Sequence, residues 1–352
     1  MVRHIRANLG LLILTVLVCS GLYPLALWGI GQALFRNQAQ GSLIDKSGKL
    51  VTEANDAVGS QLIAQPFTGD EYFQPRPSAA AYNAAASGAS NWAANNYQLR
   101  FRVAKAFGPI VKYGSKSPKN GQNVGPDIEL WFQTHPLKDG KGIVAQWAQT
   151  YPSAALMWVK DDKANAAYVE AWQKTHPDAI ARWIKDNPNT PDPKPEDLAV
   201  TFFVSYSAEH PATFPSLQHK TSDGKTEKVM EPVNEGTDIQ SYFFDMWRQK
   251  HPDVDLEQVP ADLVMASGSG LDPHITLKGA RYQLDRVANA WGKKTGIAPA
   301  TVKAELEALL REKAFAPLGG IAGVPLVNVL EINLALPDRM RNRGEGSAMR
   351  DQ

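Results

Sequence analysis

The sequence is poor in several features on which whole classes of function depend. It holds one cysteine, Cys19, which excludes an intrachain disulfide and a cysteine-based metal site. It has almost no net charge: 37 basic residues against 36 acidic ones leave +1. That balance offers no global field for nucleic acid or an acidic substrate. No Gly-x-x-x-x-Gly-Lys-Ser/Thr loop occurs, so the common backbone cradle for nucleotide phosphates is missing. One absence is local and informative: no charged residue lies between Arg6 and Arg36.

That uncharged stretch is 29 residues long and mostly apolar from Leu9 to Phe35. At ~1.5 Å rise per residue, ~20 helical residues cross a hydrocarbon core ~30 Å thick. Residues 9–35 therefore read as a transmembrane helix, with room for tilt and a kink at Pro24. Arg3, His4 and Arg6 precede it, which puts residues 1–8 in the cytoplasm and everything after Arg36 outside. A cleaved signal peptide would have a shorter apolar core and a small-residue cleavage site. A lipoprotein would carry a small residue before its cysteine, where this chain has Val18.

Beyond the membrane the composition changes three times. Residues 41–100 are rich in Gly, Ser, Ala and Asn. Within them Ser42-Leu43-Ile44 and Leu50-Val51 flank Asp45-Lys46-Ser47-Gly48-Lys49, a hairpin turn with Gly48 supplying a positive φ. The pentapeptide superficially resembles the Asp-Lys-Thr-Gly-Thr phosphorylation motif of P-type ATPases, but it sits just outside the membrane without the domains that motif needs.

Residues 105–258 are rich in Trp, His and Pro, and repeat a hexad, Trp-x-x-x-His/Tyr-Pro, at Trp131, Trp147, Trp172 and Trp247. Spacings of 16, 25 and 75 residues exclude a solenoid period. The hexads read as helix ends: Trp packs in the last turn, His favours the negative C-terminal end, and Pro stops the helix. A metal site from His135, His176 and His251 is disfavoured, because no two stand at ligand spacing on one helix.

Helical spacing returns in Gly279–Gly292 and in 300–314, the second with Pro299 near its start. In Val327–Leu336 apolar and other residues alternate, which predicts a strand with Leu330, Ile332, Leu334 and Leu336 on its buried face. Residues 337–352 are polar, hold four arginines, and read as a disordered tail.

Several segments carry a specific resemblance. They are Gly59-Ser60-Gln61-Leu62-Ile63-Ala64-Gln65-Pro66-Phe67; Tyr72-Phe73-Gln74-Pro75-Arg76-Pro77-Ser78 with Tyr82-Asn83; and Ser87-Gly88-Ala89-Ser90-Asn91. After the long middle region come Val259-Pro260-Ala261-Asp262-Leu263-Val264 and Ala266-Ser267-Gly268-Ser269-Gly270-Leu271-Asp272-Pro273-His274-Ile275. Tyr282-Gln283, Arg286-Val287-Ala288 and Val327-Asn328-Val329-Leu330-Glu331-Ile332-Asn333-Leu334 complete the series. In this order they resemble the KdpC family, the C subunits of Kdp potassium-transporting P-type ATPases. Ala89 stands where a second Gly is usual and Trp92 where Leu is usual. Residues 105–258 and the tail after Leu336 have no counterpart in the usual, shorter subunit.

The resemblance implies an α+β extracytoplasmic domain, residues 36–104 and 259–336, on one N-terminal transmembrane helix, with 105–258 as a mainly helical insertion. It implies a non-catalytic accessory subunit in a bacterial inner membrane. Its partners would be a channel-like potassium-translocating subunit, a P-type ATPase subunit, a small hydrophobic subunit and the lipid bilayer, with no nucleic acid. The family has been described as a catalytic chaperone that raises the ATP affinity of the ATPase subunit. With the domain outside and ATP inside, such an effect has to be conformational. ATP is then implied only through the ATPase subunit, and no firmly bound cofactor, metal or catalytic residue is expected.

The residues themselves leave rival readings. Ser267-Gly268-Ser269-Gly270 reads as a tight loop, with Asp272 and Ser placed to cap a following helix. A hydrolase using Ser269, Asp272 and His274 would want a Gly-x-Ser-x-Gly elbow, and position 267 is Ser. Arg76, held between Pro75 and Pro77, is set for an internal ion pair with Glu71 or Asp272, or for a carboxylate on a partner. Gln283 and Arg286 share a helix face, most simply for buried hydrogen bonding. Candidate contacts for a partner or ligand are Arg76, Ser78, Tyr82, Asn83, Ser90, Asn91, Ser267, Ser269, Asp272, His274, Gln283 and Arg286. A reading from another class is a membrane-anchored extracytoplasmic hydrolase or carbohydrate-binding protein, which would need exposed Trp platforms in 105–258.

Overall fold

The computed structural model describes residues 2–135, 142–222, 225–321 and 323–348. The chain mixes helix and sheet and forms two compact units, one of residues up to Ser90 and from Pro260 onward, the other Asn91–Val259.

The first unit opens with α1 (Val2–Val16) and α2 (Tyr23–Leu34), joined by a widened π-helical stretch over Leu17–Leu22. The register change lies directly before Pro24, whose missing N–H and bulky ring forbid an ordinary α turn. Together they make one helix, Arg3–Leu34, long and apolar enough to cross a membrane. Its leucines are exposed all round, a distribution compatible with a lipid-facing helix. The short α3 (Arg36–Ala39) follows. Then β1 (Leu43–Ile44) pairs antiparallel with both β2 (Leu50–Val51) and β3 (Gly59–Ser60). The β1–β2 turn is the expected one: Gly48 has φ 76°, and Asp45 Oδ1 accepts from the amides of Ser47 and Lys49 at 2.8 and 3.0 Å.

The second unit begins at Asn91, so α4 (Tyr97–Phe107), which the sequence reading placed mostly with the first, packs here against later helices. It continues with α5 (Gly125–Thr134), α6 (Ile143–Thr150), α7 (Pro152–Asp161), α8 (Lys163–Thr175), α9 (Pro177–Asp186) and α10 (Ala199–Glu209). A long hairpin, β4 (Phe214–Ser222) and β5 (Lys225–Val233), precedes α11 (Thr237–Lys250). The four hexads end α5, α6, α8 and α11 at His135, Tyr151, His176 and His251. Two further ends repeat the pattern with substitutions: Asn187 closes α9 after Trp183, and His210 closes α10 after Tyr206. The ring of His176 stacks on Trp172 and that of His251 on Trp247, while each Nδ1 bonds the same tryptophan's carbonyl at 2.8 Å. The core is aromatic: Trp147 meets Phe203 at 5.1 Å and Phe214 at 5.5 Å, and Trp158 packs on Phe202 and Phe203.

The first unit resumes with β6 (His274–Thr276), α12 (Leu277–Thr295), α13 (Pro299–Lys313), β7 (Leu326–Asn328) and α14 (Val329–Ala348). The strand β6 pairs with β7, Ile275 opposite Val327. The core gathers Phe73, Ile275, Leu284, Val287, Trp291, Leu306, Leu310, Val327 and Ile332.

Two expectations are corrected here. The strand predicted over 327–336 is three residues long, and a helix takes over at Val329. The helix runs on through Pro337 to Ala348, so residues 337–348 are helical rather than a disordered tail; 349–352 lie outside the described residues. The burial pattern explains the change: Val329, Ile332, Asn333, Leu336 and Met340 are buried, a helical spacing that continues past the proline.

Candidate functional site

The family-like segments meet in the first unit around residues 70–76, a turn that opens into an irregular stretch lying against α12 and α14 with no strand partner among the described residues. Side-chain amides replace one. Asn333 on α14 accepts from Phe73 N and donates to Phe73 O, both at 2.8 Å. Gln283 on α12 does the same for Gln74, at 2.9 and 3.1 Å. Arg286, one turn on, donates to the carbonyls of Asp70 and Tyr72 at 2.8 and 3.0 Å and to Gln283 Oε1 at 2.7 Å. Trp291 Nε1 donates to Glu71 O at 2.8 Å. Burial pulls the Arg286 guanidinium below its ordinary value, with the Asp70 carboxylate opposing. A buried backbone without partners would be costly. These side chains satisfy it residue by residue.

From Arg76 onward the stretch becomes a loop held to the 266–274 loop. Arg76 reaches Ala266 O at 3.2 Å and stands 3.7 Å from Asp272, one of the two carboxylates anticipated for it. Asp272 Oδ1 accepts from His274 N at 3.0 Å and meets His274 Nδ1 at 3.1 Å. Burial would raise the Asp272 carboxyl, but the His274 hydrogen bonds and the Arg76 charge outweigh it and hold it low. Ser78 Oγ donates to Gly270 O at 2.6 Å and accepts from the amides of Ala80 and Tyr82. The Tyr82 hydroxyl returns to Arg76 O at 2.8 Å, and burial raises its pKa. Ala81 and Tyr82 both have positive φ, 50° and 58°, a strained pair that this bonding holds in place. Gly270, φ 69°, is required: a Cβ there would lie 2.7 Å from Gly88 O.

Not every candidate joins this network through its side chain. Ser267 contributes its backbone, donating to Pro77 O at 3.3 Å. Asn83 makes only a local turn to Ala85 N. Ser90 ends the first unit and Asn91 opens the second, with φ 51°. Ser269 Oγ accepts from Leu271 N at 3.1 Å, and the His274 ring packs edge-on against Phe315, so the Ser-Asp-His arrangement is not a linked triad. The helix cap expected from Asp272 comes instead from Thr276, which accepts from Gly279 N at 2.9 Å and is itself held by Asp262.

Sequence reasoning missed Asn333, Asp262, Trp291 and Asn328. Asn328 had a usable signal. Its Oδ1 accepts from Leu330 N and Glu331 N at the start of α14, and Asn followed three residues later by Glu is a helix-start pattern. In the second unit, four of the six tryptophans in 105–258 are buried and the other two are half-buried, so none forms an exposed stacking platform.

Comparison with known proteins agrees with the motifs. The family described as KdpC, K+-transporting ATPase, c chain, matches residues 5–128 and 229–338 and passes over the residues between. A potassium-transporting ATPase KdpC subunit of Pseudomonas syringae is 48% identical over 101 residues, 29% of this chain and 50% of that protein. The chain thus spans about half the length of such Pseudomonas relatives. Two others align almost end to end: KdpC subunits of Parvibaculum lavamentivorans, 26% identical over 96% of this chain and 97% of theirs, and of Rhodospirillum rubrum, 28% identical over the same shares. Near-complete mutual coverage means that those two carry comparable extra length. With the family matched over well more than half of its residues, the chain belongs to the KdpC family.

Proposed function

We propose that this chain is the non-catalytic C subunit of a Kdp-type potassium-transporting ATPase, assembling with the channel-like and P-type ATPase subunits and the small hydrophobic subunit. The family match carries the reading. The geometry supports it: the polar side chains that distinguish the family-like segments are largely spent on backbone, holding loops in one shape, as an interaction scaffold requires. An exposed apolar loop with Leu318 76% and Ile321 90% exposed supports assembly as well.

The Arg3–Leu34 helix anchors the chain in the inner membrane with its N-terminus inside and the folded units outside. An effect on ATP affinity is then conformational and reaches the ATPase subunit through the membrane. It requires contacts that differ between two pump states. Purifying tagged chain from detergent-solubilised membranes that contain the whole system should bring down the channel-like and ATPase subunits, identified by mass. A periplasm-dependent reporter fused after Gln352 should be active. Recovery of the chain alone, or an active cytoplasmic reporter in that position, would overturn the reading.

A further inference from the structure

The second unit contains a cavity of about 210 Å³ where α4, α6, the start of α7 and α11 converge. Its walls are aromatic, with Tyr97, Phe101, Trp147, Tyr151 and Tyr242 around it. Three polar groups on these walls are unspent. Ser241 is 4% exposed, and its hydroxyl has no hydrogen-bond partner among the described residues. That is unusual, because a helical serine can always turn back to a carbonyl of the preceding turn. Asp245, one turn along α11, is a largely buried carboxylate with no hydrogen bond or ion pair among the described residues. Arg100 on α4 is near enough to be felt by Asp245, yet the two do not form an ion pair. By contrast, Lys105, the other cation on the wall, is already bound to Asp161.

We propose that this cavity is a binding site for a small zwitterionic ammonium compound of the amino-acid or betaine class. Its ammonium group faces Asp245 and the aromatic faces, and its carboxylate faces Arg100. The chemistry follows from what is left over. Opposite charges that line one cavity without touching leave a gap that a molecule with both charges fills. Aromatic faces favour an ammonium, most of all a methylated one. The volume is below the ~300 Å³ at which drug-sized pockets begin, which fits a molecule of this size. Burial raises the Asp245 carboxyl, a cost that an incoming cation removes. The inference stands apart from the transport role, because it uses only residues of the second unit.

The test is titration of the purified full-length chain in detergent, followed by tryptophan fluorescence and calorimetry. The probes are glycine betaine, L-proline and glycine, with choline and acetate as single-charge controls. At least one zwitterion should saturate at millimolar concentration or below and raise the thermal midpoint. Asp245→Asn and Arg100→Gln should each weaken it by roughly tenfold or more. Ser241→Ala, which removes only the unpartnered hydroxyl, serves where a charge variant fails to fold, and should weaken binding several-fold. Three results would overturn the proposal: no zwitterion saturates, choline binds as well as betaine, or binding survives both charge changes undiminished.

Discussion

Asn333 offers the sharpest test of how the first unit is held together. Its side chain is 3% exposed and makes two 2.8 Å hydrogen bonds to the N–H and C=O of Phe73, a residue that is itself fully buried. Asn333→Ala leaves both backbone groups without partners. An unmet buried donor or acceptor costs about 1–3 kcal/mol, so the substitution should destabilise this unit by about 2–4 kcal/mol after relaxation. That is a large part of the ~5–15 kcal/mol that holds a domain together. Because the chain has two units, one melting midpoint would mix their responses. The better assay is hydrogen exchange of the full-length chain in detergent, read at the peptide covering residues 70–76. Protection of Phe73 and Gln74 should fall in Asn333→Ala, while peptides of the second unit keep theirs. Asn83→Ala is the control, since its exposed side chain makes one local turn bond. Gln283→Ala should resemble Asn333→Ala, and the double variant should depart from additivity because the two clamps grip consecutive residues. If Asn333→Ala exchanges no faster than Asn83→Ala, the side-chain clamp is not what secures this stretch.

Other expectations follow from neighbouring features. Gly270→Ala should destabilise the loop by about 1–2 kcal/mol for its left-handed backbone alone, with more for the Cβ 2.7 Å from Gly88 O. Gly268→Ala, where a Cβ meets nothing within 4 Å, should be nearly silent in the same denaturation assay. Asp272 has a depressed folded-state pKa, so its contribution is present above the unfolded value near 3.8 and is lost as pH falls through the lower folded value. Asp272→Asn should flatten the acid limb of a stability–pH curve in that window, modestly because the group is partly exposed. A limb unchanged from the parent would exclude Asp272 as a source of acid sensitivity. Replacing residues 91–259 with a Gly/Ser linker should leave a first unit that unfolds cooperatively and still joins its partners; a molten remainder would mean that the second unit is part of its core. Fluorescence should drop sharply in that variant, since most tryptophans leave with the insert.

The amino-acid order alone determined those features whose cause is local. An uncharged apolar run predicts a helix long and apolar enough to cross a membrane, because hydration of charge is what lipid refuses, and Arg3–Leu34 is such a helix. At the four hexads Pro after His or Tyr marks a helix end, and they close α5, α6, α8 and α11. The β1–β2 turn followed from one glycine. Most of the family-like segments fall in one unit, although the 169 residues of Asn91–Val259 interrupt it along the chain.

Only the tertiary structure decided what depends on distant partners. In residues 329–336 a two-residue and a helical period coexist, and Met340, which breaks the tie, lies beyond Pro337 where the composition looks like tail. The β4–β5 hairpin was hidden because its strands are polar and carry Pro215 and Pro232, normally an argument against strand; the structure sets these two prolines opposite each other in the ladder. The role of Asn333 and the partner of Gln283 could not be read from their own neighbourhoods. Each answers a backbone amide more than 200 residues away, and a hydrogen-bond need of that kind exists only after the chain has folded and buried it.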